Sequence, residues 1–104
     1  MRTERDVLGE KQLEDEALTG INTLRAAENF ELNYRKTNMD LIYAMVKVKR
    51  AAAVTYRNLK IRPDIYEKVI LACDEVLAGK HDKWFSLESL QGGAGTSTNM
   101  NVNE

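Results

Sequence analysis

Apolar residues return at helical spacing in two stretches of this chain, and those stretches organise its middle. Leu41, Met45, Val48 and Ala52 recur at intervals of four, three and four, predicting a helix from about Asn38, a good N-cap, to about Asn58. Met39 and Asp40 fill its first turn, where a carboxylate suits the positive end of the helix dipole. Ile65, Val69, Ala72 and Val76, supported by Ile70, Cys73 and Leu77, predict the inward stripe of a second helix from Pro63 to Ala78. Proline suits a first helical position, and Gly79 is placed to end the helix in a left-handed conformation. With only Leu59 to Arg62 between them, the two helices are expected to form an antiparallel pair over residues 38–79.

Residues 1–37 show no sustained helical period and carry the turn signals Gly9, Gly20, Asn22, Asn29 and Asn33. They read as loops and short extended pieces, with one helical turn near Thr23 to Glu28. The acidic excess between Glu4 and Glu16 reads as a solvated strip. Residues 80–104 read as a connector followed by a glycine-rich loop, with Trp84 and Phe85 anchoring the connector against the helices.

Composition narrows the functional classes. At 104 residues the chain makes one domain at most. Fifteen basic and sixteen acidic side chains leave a net charge of -1, which gives no bulk attraction to nucleic acid or an anionic membrane. Every formal charge between Leu41 and Pro63 is positive, but Lys47, Lys49, Arg50, Arg57, Lys60 and Arg62 do not share one helix face, so a solvated or subunit-facing surface is expected there, with no nucleic-acid partner. No apolar stretch approaches the roughly 20 residues a membrane helix needs, and the charged start from Met1 to Asp6 is not a signal peptide; no membrane partner and a cytoplasmic location are expected. Cys73 and His81 are single, which excludes an internal disulfide and leaves a zinc site without ligands. Cys73 reads as a small core residue and His81 as an exposed loop residue.

The stretch from Gln91 to Glu104, QGGAGTSTNMNVNE, is where chemistry concentrates. Gly92, Gly93 and Gly95 allow positive φ and close approach, while Thr96, Ser97, Thr98 and Asn99 offer donors at the start of a predicted helix. Two phosphate motifs fail here. A P-loop requires Lys and then Ser or Thr after its last glycine, where Thr96 and Ser97 stand, and a dinucleotide fingerprint requires glycine at 98, where Thr98 stands. A smaller, harder anion held by amides and hydroxyls, with no metal or cofactor, survives. The competing account of Thr96 and Ser97 is simple helix capping, and the two roles are compatible. Asn99, Asn101 and Asn103 are assigned to the helix start and to subunit packing.

These residues resemble the first signature segment of the aspartase and fumarase superfamily, and GGAGTS, through Gly92, Ala94 and Ser97, resembles its aspartase branch; fumarases usually read more like TGSGTQ. RTERDVLGEKQ, GINTLRAAENF, VKVKRAAA and ACDEVLAGK resemble further segments of that family's amino-terminal region, in the family's order, so the resemblance covers nearly the whole chain. It implies a mainly α fold and an incomplete amino-terminal lyase domain over 1–104, comprising the irregular segment 1–37, the helical pair 38–79, and the connector and substrate-carboxylate loop 80–104. It also implies a lyase that reversibly converts L-aspartate to fumarate and ammonia without an organic cofactor. A base removes a proton beside one carboxylate, giving a doubly charged aci-carboxylate, and ammonia then leaves.

By the same resemblance, Thr96 and Ser97 contact a substrate carboxylate, and the backbone of Gly93, Ala94 and Gly95 shapes the approach. Arg25, in GINTLRAAENF, matches an arginine of the active-site region, where a guanidinium either forms a bidentate carboxylate contact or orders the loop. Family members are homotetramers whose sites combine segments of three subunits. The base and the histidine signature lie in portions that this chain does not contain, so no catalytic residue is expected here and the chain alone is expected to be inactive, with apolar helix surface left exposed. Departures from the family pattern are Asn22, where relatives carry His or Gln, Glu14, where proline is common, and the missing aromatic pair near Leu18 and Thr19. A fumarase-like lyase and a non-catalytic helical adaptor are the competing readings.

Overall fold

The computed structural model describes residues 1–31, 35–91 and 94–104. Among them lie a two-stranded hairpin and four α-helices, so the chain is mainly α. The chain resolves into two compact units, Met1–Asn38 with Lys83–Glu104, and Met39–Asp82.

The first unit opens with strands β1 (Arg2–Asp6) and β2 (Gly9–Leu13), antiparallel with Arg2 opposite Leu13 and Asp6 opposite Gly9. Sequence patterning reads this region as loops and short extended pieces, because the half-buried row is charged rather than apolar: Arg2, Glu4, Asp6 and Lys11 alternate with exposed neighbours. Each of those charges has a partner. Arg2 donates to the Glu14, Asp15, Ala17 and Thr19 carbonyls at 2.9, 3.3, 2.8 and 2.6 Å and to Glu4 at 2.8 Å, folding residues 14–19 back over the hairpin. The acidic strip is therefore only partly solvated. At the turn, the Leu8 amide donates to Asp6 Oδ1 at 2.9 Å, and Gly9 takes φ 123°, which a side chain would oppose.

Helix α1 (Ile21–Asn29) runs for nine residues where a single turn was expected. Gly20, Asn22 and Asn29 are poor helix formers, and the stabilisation comes from distant carboxylates: Glu4 accepts from the Ile21 amide at 2.8 Å, and Glu104 accepts from the Asn22 and Thr23 amides at 3.0 and 2.7 Å. Leu13, Ile21, Ala26, Phe85 and Leu87 are the buried apolar residues of this unit. Residues 35–37 pair with 87–89, through Thr37 N to Leu87 O at 3.0 Å and Ser89 N to Arg35 O at 2.7 Å. The turn residue Asn33 lies outside the described residues.

The second unit is the helical pair α2 (Met39–Asn58) and α3 (Pro63–Leu77), packed along their length. Leu59 to Arg62 turn the chain with Lys60 and Arg62 in the left-handed region, at φ 60° and 44°. Pro63 is the first residue of α3, and Gly79, at φ 80°, closes it in a Schellman arrangement, with Gly79 N bonding Val76 O at 3.0 Å and Lys80 N bonding Glu75 O at 3.3 Å. The facing rows differ from the predicted ones. Ile42, Val46 and Ala53 are buried on α2, and Ile70 and Cys73 on α3, whereas Leu41, Val48, Ala52, Ile65, Val69 and Ala72 are exposed. Each helix carries more apolar positions than one seam can use, and periodicity does not select among them. Full burial of a residue such as Ile42 stabilises by about 1.5–3 kcal/mol. Arg50 also bridges to Asp74 at 2.7 Å, an exposed pair that water screens. Cys73 is buried as expected, and burial pushes its thiol pKa up, away from nucleophilic use.

Candidate functional site

Helix α4 (Thr96–Asn103) follows the glycine loop, and Gly95 starts it at φ 87°, the left-handed region that glycine enters without strain. The first intrahelical bond is Asn99 N to Gly95 O at 3.0 Å, so the Thr96, Ser97 and Thr98 amides precede the ladder and carry the positive end of the helix dipole. No side-chain cap forms at this terminus. Simple capping therefore does not account for Thr96 and Ser97. Thr96 is exposed and Ser97 half-buried, and among the described residues neither hydroxyl has a hydrogen-bond partner. Amide and hydroxyl donors at one helix start suit an anion of carboxylate size.

Ala94 and Gly95 are exposed beside this pair, and Gly93 lies outside the described residues, as does Gly92. Arg25 is engaged at the hairpin. Its Nε donates to Asp6 Oδ2 at 2.7 Å and its Nη2 to the Gly9 carbonyl at 3.2 Å, fixing α1 to the hairpin turn. The guanidinium holds the Asp6 carboxyl below its ordinary pKa. Arg25 thus ties α1 to the hairpin turn through its guanidinium.

The rest of α4 is bolted to α1. Asn101, 2% exposed, donates to Thr23 Oγ1 at 3.2 Å and to the Trp84 carbonyl at 3.1 Å, and the Thr23 hydroxyl donates to Glu104 Oε1 at 2.6 Å. Asn101 thus serves internal packing, not a helix start or a subunit face. Sequence reading missed this network, and also the side-chain bond from Thr98 to Gln91 at 3.1 Å, because each partnership joins residues that only the fold brings together. Three or more His, Cys, Asp or Glu side chains that could share a metal ion are not found among the described residues. No described helix is long and apolar enough to cross a membrane.

A family model described as lyase matches residues 9–104. The chain is 45% identical over 104 residues to aspartate ammonia-lyase of Bacillus subtilis and 42% identical over 104 residues to a class II fumarate hydratase of Pseudomonas aeruginosa, covering 99% of this chain and 22% of each relative. It superposes on a crystal structure of a fumarate lyase:delta crystallin from Brucella melitensis with TM-score 0.92 at 42% identity, covering 100% of this chain and 24% of that one. This chain thus spans about a quarter of the length of these relatives, with the fold of their amino-terminal domain. It belongs to the lyase family of the aspartase and fumarase superfamily.

Proposed function

We propose that this chain is the amino-terminal, substrate-carboxylate-binding part of a cytoplasmic, homotetrameric lyase that deaminates L-aspartate to fumarate and ammonia. The observation that carries the reading is the start of α4, where among the described residues the Thr96 and Ser97 hydroxyls have no hydrogen-bond partner and the first backbone amides precede the helical ladder. Removing a proton beside a carboxylate places the C–H electron pair on that carboxylate as a dianionic aci form. Reforming the carboxylate makes the carbon–carbon double bond of fumarate and expels ammonia with the C–N pair. Donors fixed before the reaction stabilise the added charge, and each is worth roughly 3–4 kcal/mol in known examples. The base comes from other segments of the complete protein, so this piece alone turns over no substrate.

Ala94 and Ser97 favour aspartate, since fumarases usually carry serine and glutamine at those places. The fumarase-like alternative is favoured by the 42% identity to a fumarate hydratase. One assay on the complete protein separates them: fumarate is supplied with ammonia or with water alone. L-aspartate formation is expected, and malate formation without aspartate would overturn the substrate assignment. Thr96→Ala in the same protein is expected to lower kcat/KM by on the order of 10². Unchanged kinetics would remove Thr96 from the site.

A further inference from the structure

The start of α4, which carries Thr96 and Ser97, is tied by a side-chain hydrogen bond to Gln91. Gln91 stands immediately before the loop, and Thr98 lies in the first turn of the helix after it. Gln91 Oε1 accepts from Thr98 Oγ1 at 3.1 Å, while Gln91 Nε2 donates to the Glu88 carbonyl at 2.6 Å. Glu88 is itself fixed. It is 7% exposed, its carboxylate accepts from the Arg35 and Leu90 amides at 3.0 and 3.3 Å, and its chain segment pairs with residues 35–37. A continuous set of hydrogen bonds thus runs from a paired backbone segment through Gln91 to Thr98.

Thr98 is 7% exposed, whereas Thr96 is exposed and Ser97 half-buried. On a helix, anchoring one residue fixes the azimuth of its neighbours, so a bond at Thr98 sets where the two preceding hydroxyls point. We infer that Gln91 and Thr98 are positioning residues for the dicarboxylate contact of Thr96 and Ser97, an inference that rests on the reading of that pair given above. Only a primary amide of this length accepts at one end and donates at the other. A displacement of about 1 Å at a site that must meet substrate in one geometry can cost about 10²-fold.

The test uses the complete lyase carrying Gln91→Met, Thr98→Val, both together, Thr98→Ser, and Thr96→Ala as the site control. The probe is succinate, a dicarboxylate without a leaving group, with its Kd measured by calorimetry alongside kcat and KM for fumarate. Gln91→Met and Thr98→Val are each expected to weaken succinate by about tenfold or more, the double variant no further than the worse single, and Thr98→Ser to restore wild-type affinity. Thr98→Val keeps the shape of the side chain, so loss of affinity with an unchanged circular dichroism spectrum and melting temperature separates positioning from folding. If Thr96→Ala loses succinate while Gln91→Met and Thr98→Val bind it normally, the bond from Thr98 to Gln91 does not position the site and the inference is overturned. Losses that multiply in the double variant overturn it equally. If Thr96→Ala itself binds succinate normally, the site reading falls and the inference falls with it.

Discussion

Gly20 shows how much a single hydrogen in place of a methyl group decides here. Its backbone, at φ −121° and ψ −161°, is open to any residue, so no conformational demand requires glycine. The demand is steric: a Cβ would fall inside van der Waals contact of Glu104 Oε2 and 2.8 Å from Glu4 Oε1. Both oxygens belong to flexible side chains that can retreat, but they accept from the first amides of α1, and retreat strips those bonds. Lost caps destabilise a helix, so Gly20→Ala is expected to lower the urea unfolding midpoint. Glu104→Ala should then make Gly20→Ala markedly less damaging, since one of the two clashing carboxylates is gone. Equal penalties in both backgrounds would show that the carboxylate clash is not the cause.

Among the elements, the hairpin is held to α1 by charge, which makes its attachment sensitive to acid. The Arg25 guanidinium depresses the Asp6 pKa, and the Arg2 guanidinium together with the Ile21 amide depresses that of Glu4. A carboxyl depressed in the folded state is protonated more readily in the unfolded chain. Its contribution is therefore complete above the ordinary carboxylate range and is lost as pH falls from that range through the folded values. Protection from amide exchange at Ile21 and along β1, measured against the intrinsic rate, is expected to fall below about pH 4, with Asp6→Asn flattening the part due to Arg25. An unchanged pH profile in Asp6→Asn would exclude that pair as the cause. The same elements show what the sequence made legible. The bounds of α2 and α3 were readable to within a residue, because proline, glycine and the apolar period act locally. Their facing rows were not, since α2 offers Leu41 and Val48 as readily as Ile42 and Val46. The hairpin and α1 were hidden because their stabilising groups, Arg2, Glu4 and Glu104, act across long stretches of chain. At the candidate site, Thr96 and Ser97 could be singled out from spacing and resemblance, whereas the bond from Thr98 to Gln91 and those from Arg25 to the hairpin join residues that only the fold brings together.

At the scale of the whole molecule, the apolar rows turned away from the helical seam set the behaviour in solution. Val48 is 71% exposed, Leu71 64% and Leu41 52%, and Ile65 and Val69 on α3 remain partly exposed. Relatives are about four times as long as this chain, so they hold further chain with which such rows can be covered. A polypeptide of these residues alone leaves the rows in water, and each exposed Å² of apolar surface withdrawn by association returns about 25 cal/mol before the cost of ordering two molecules. Self-association is therefore expected, visible in sedimentation as a mass that rises with concentration. Val48→Glu with Leu71→Glu should return the chain to a monomer with unchanged helicity, because both side chains are mostly exposed. Ile42→Ala should instead lose helicity, at about 2–5 kcal/mol, since that residue is 1% exposed inside the seam. A concentration-independent monomer that melts in one sharp transition would show that the exposed rows are tolerated by a self-sufficient domain.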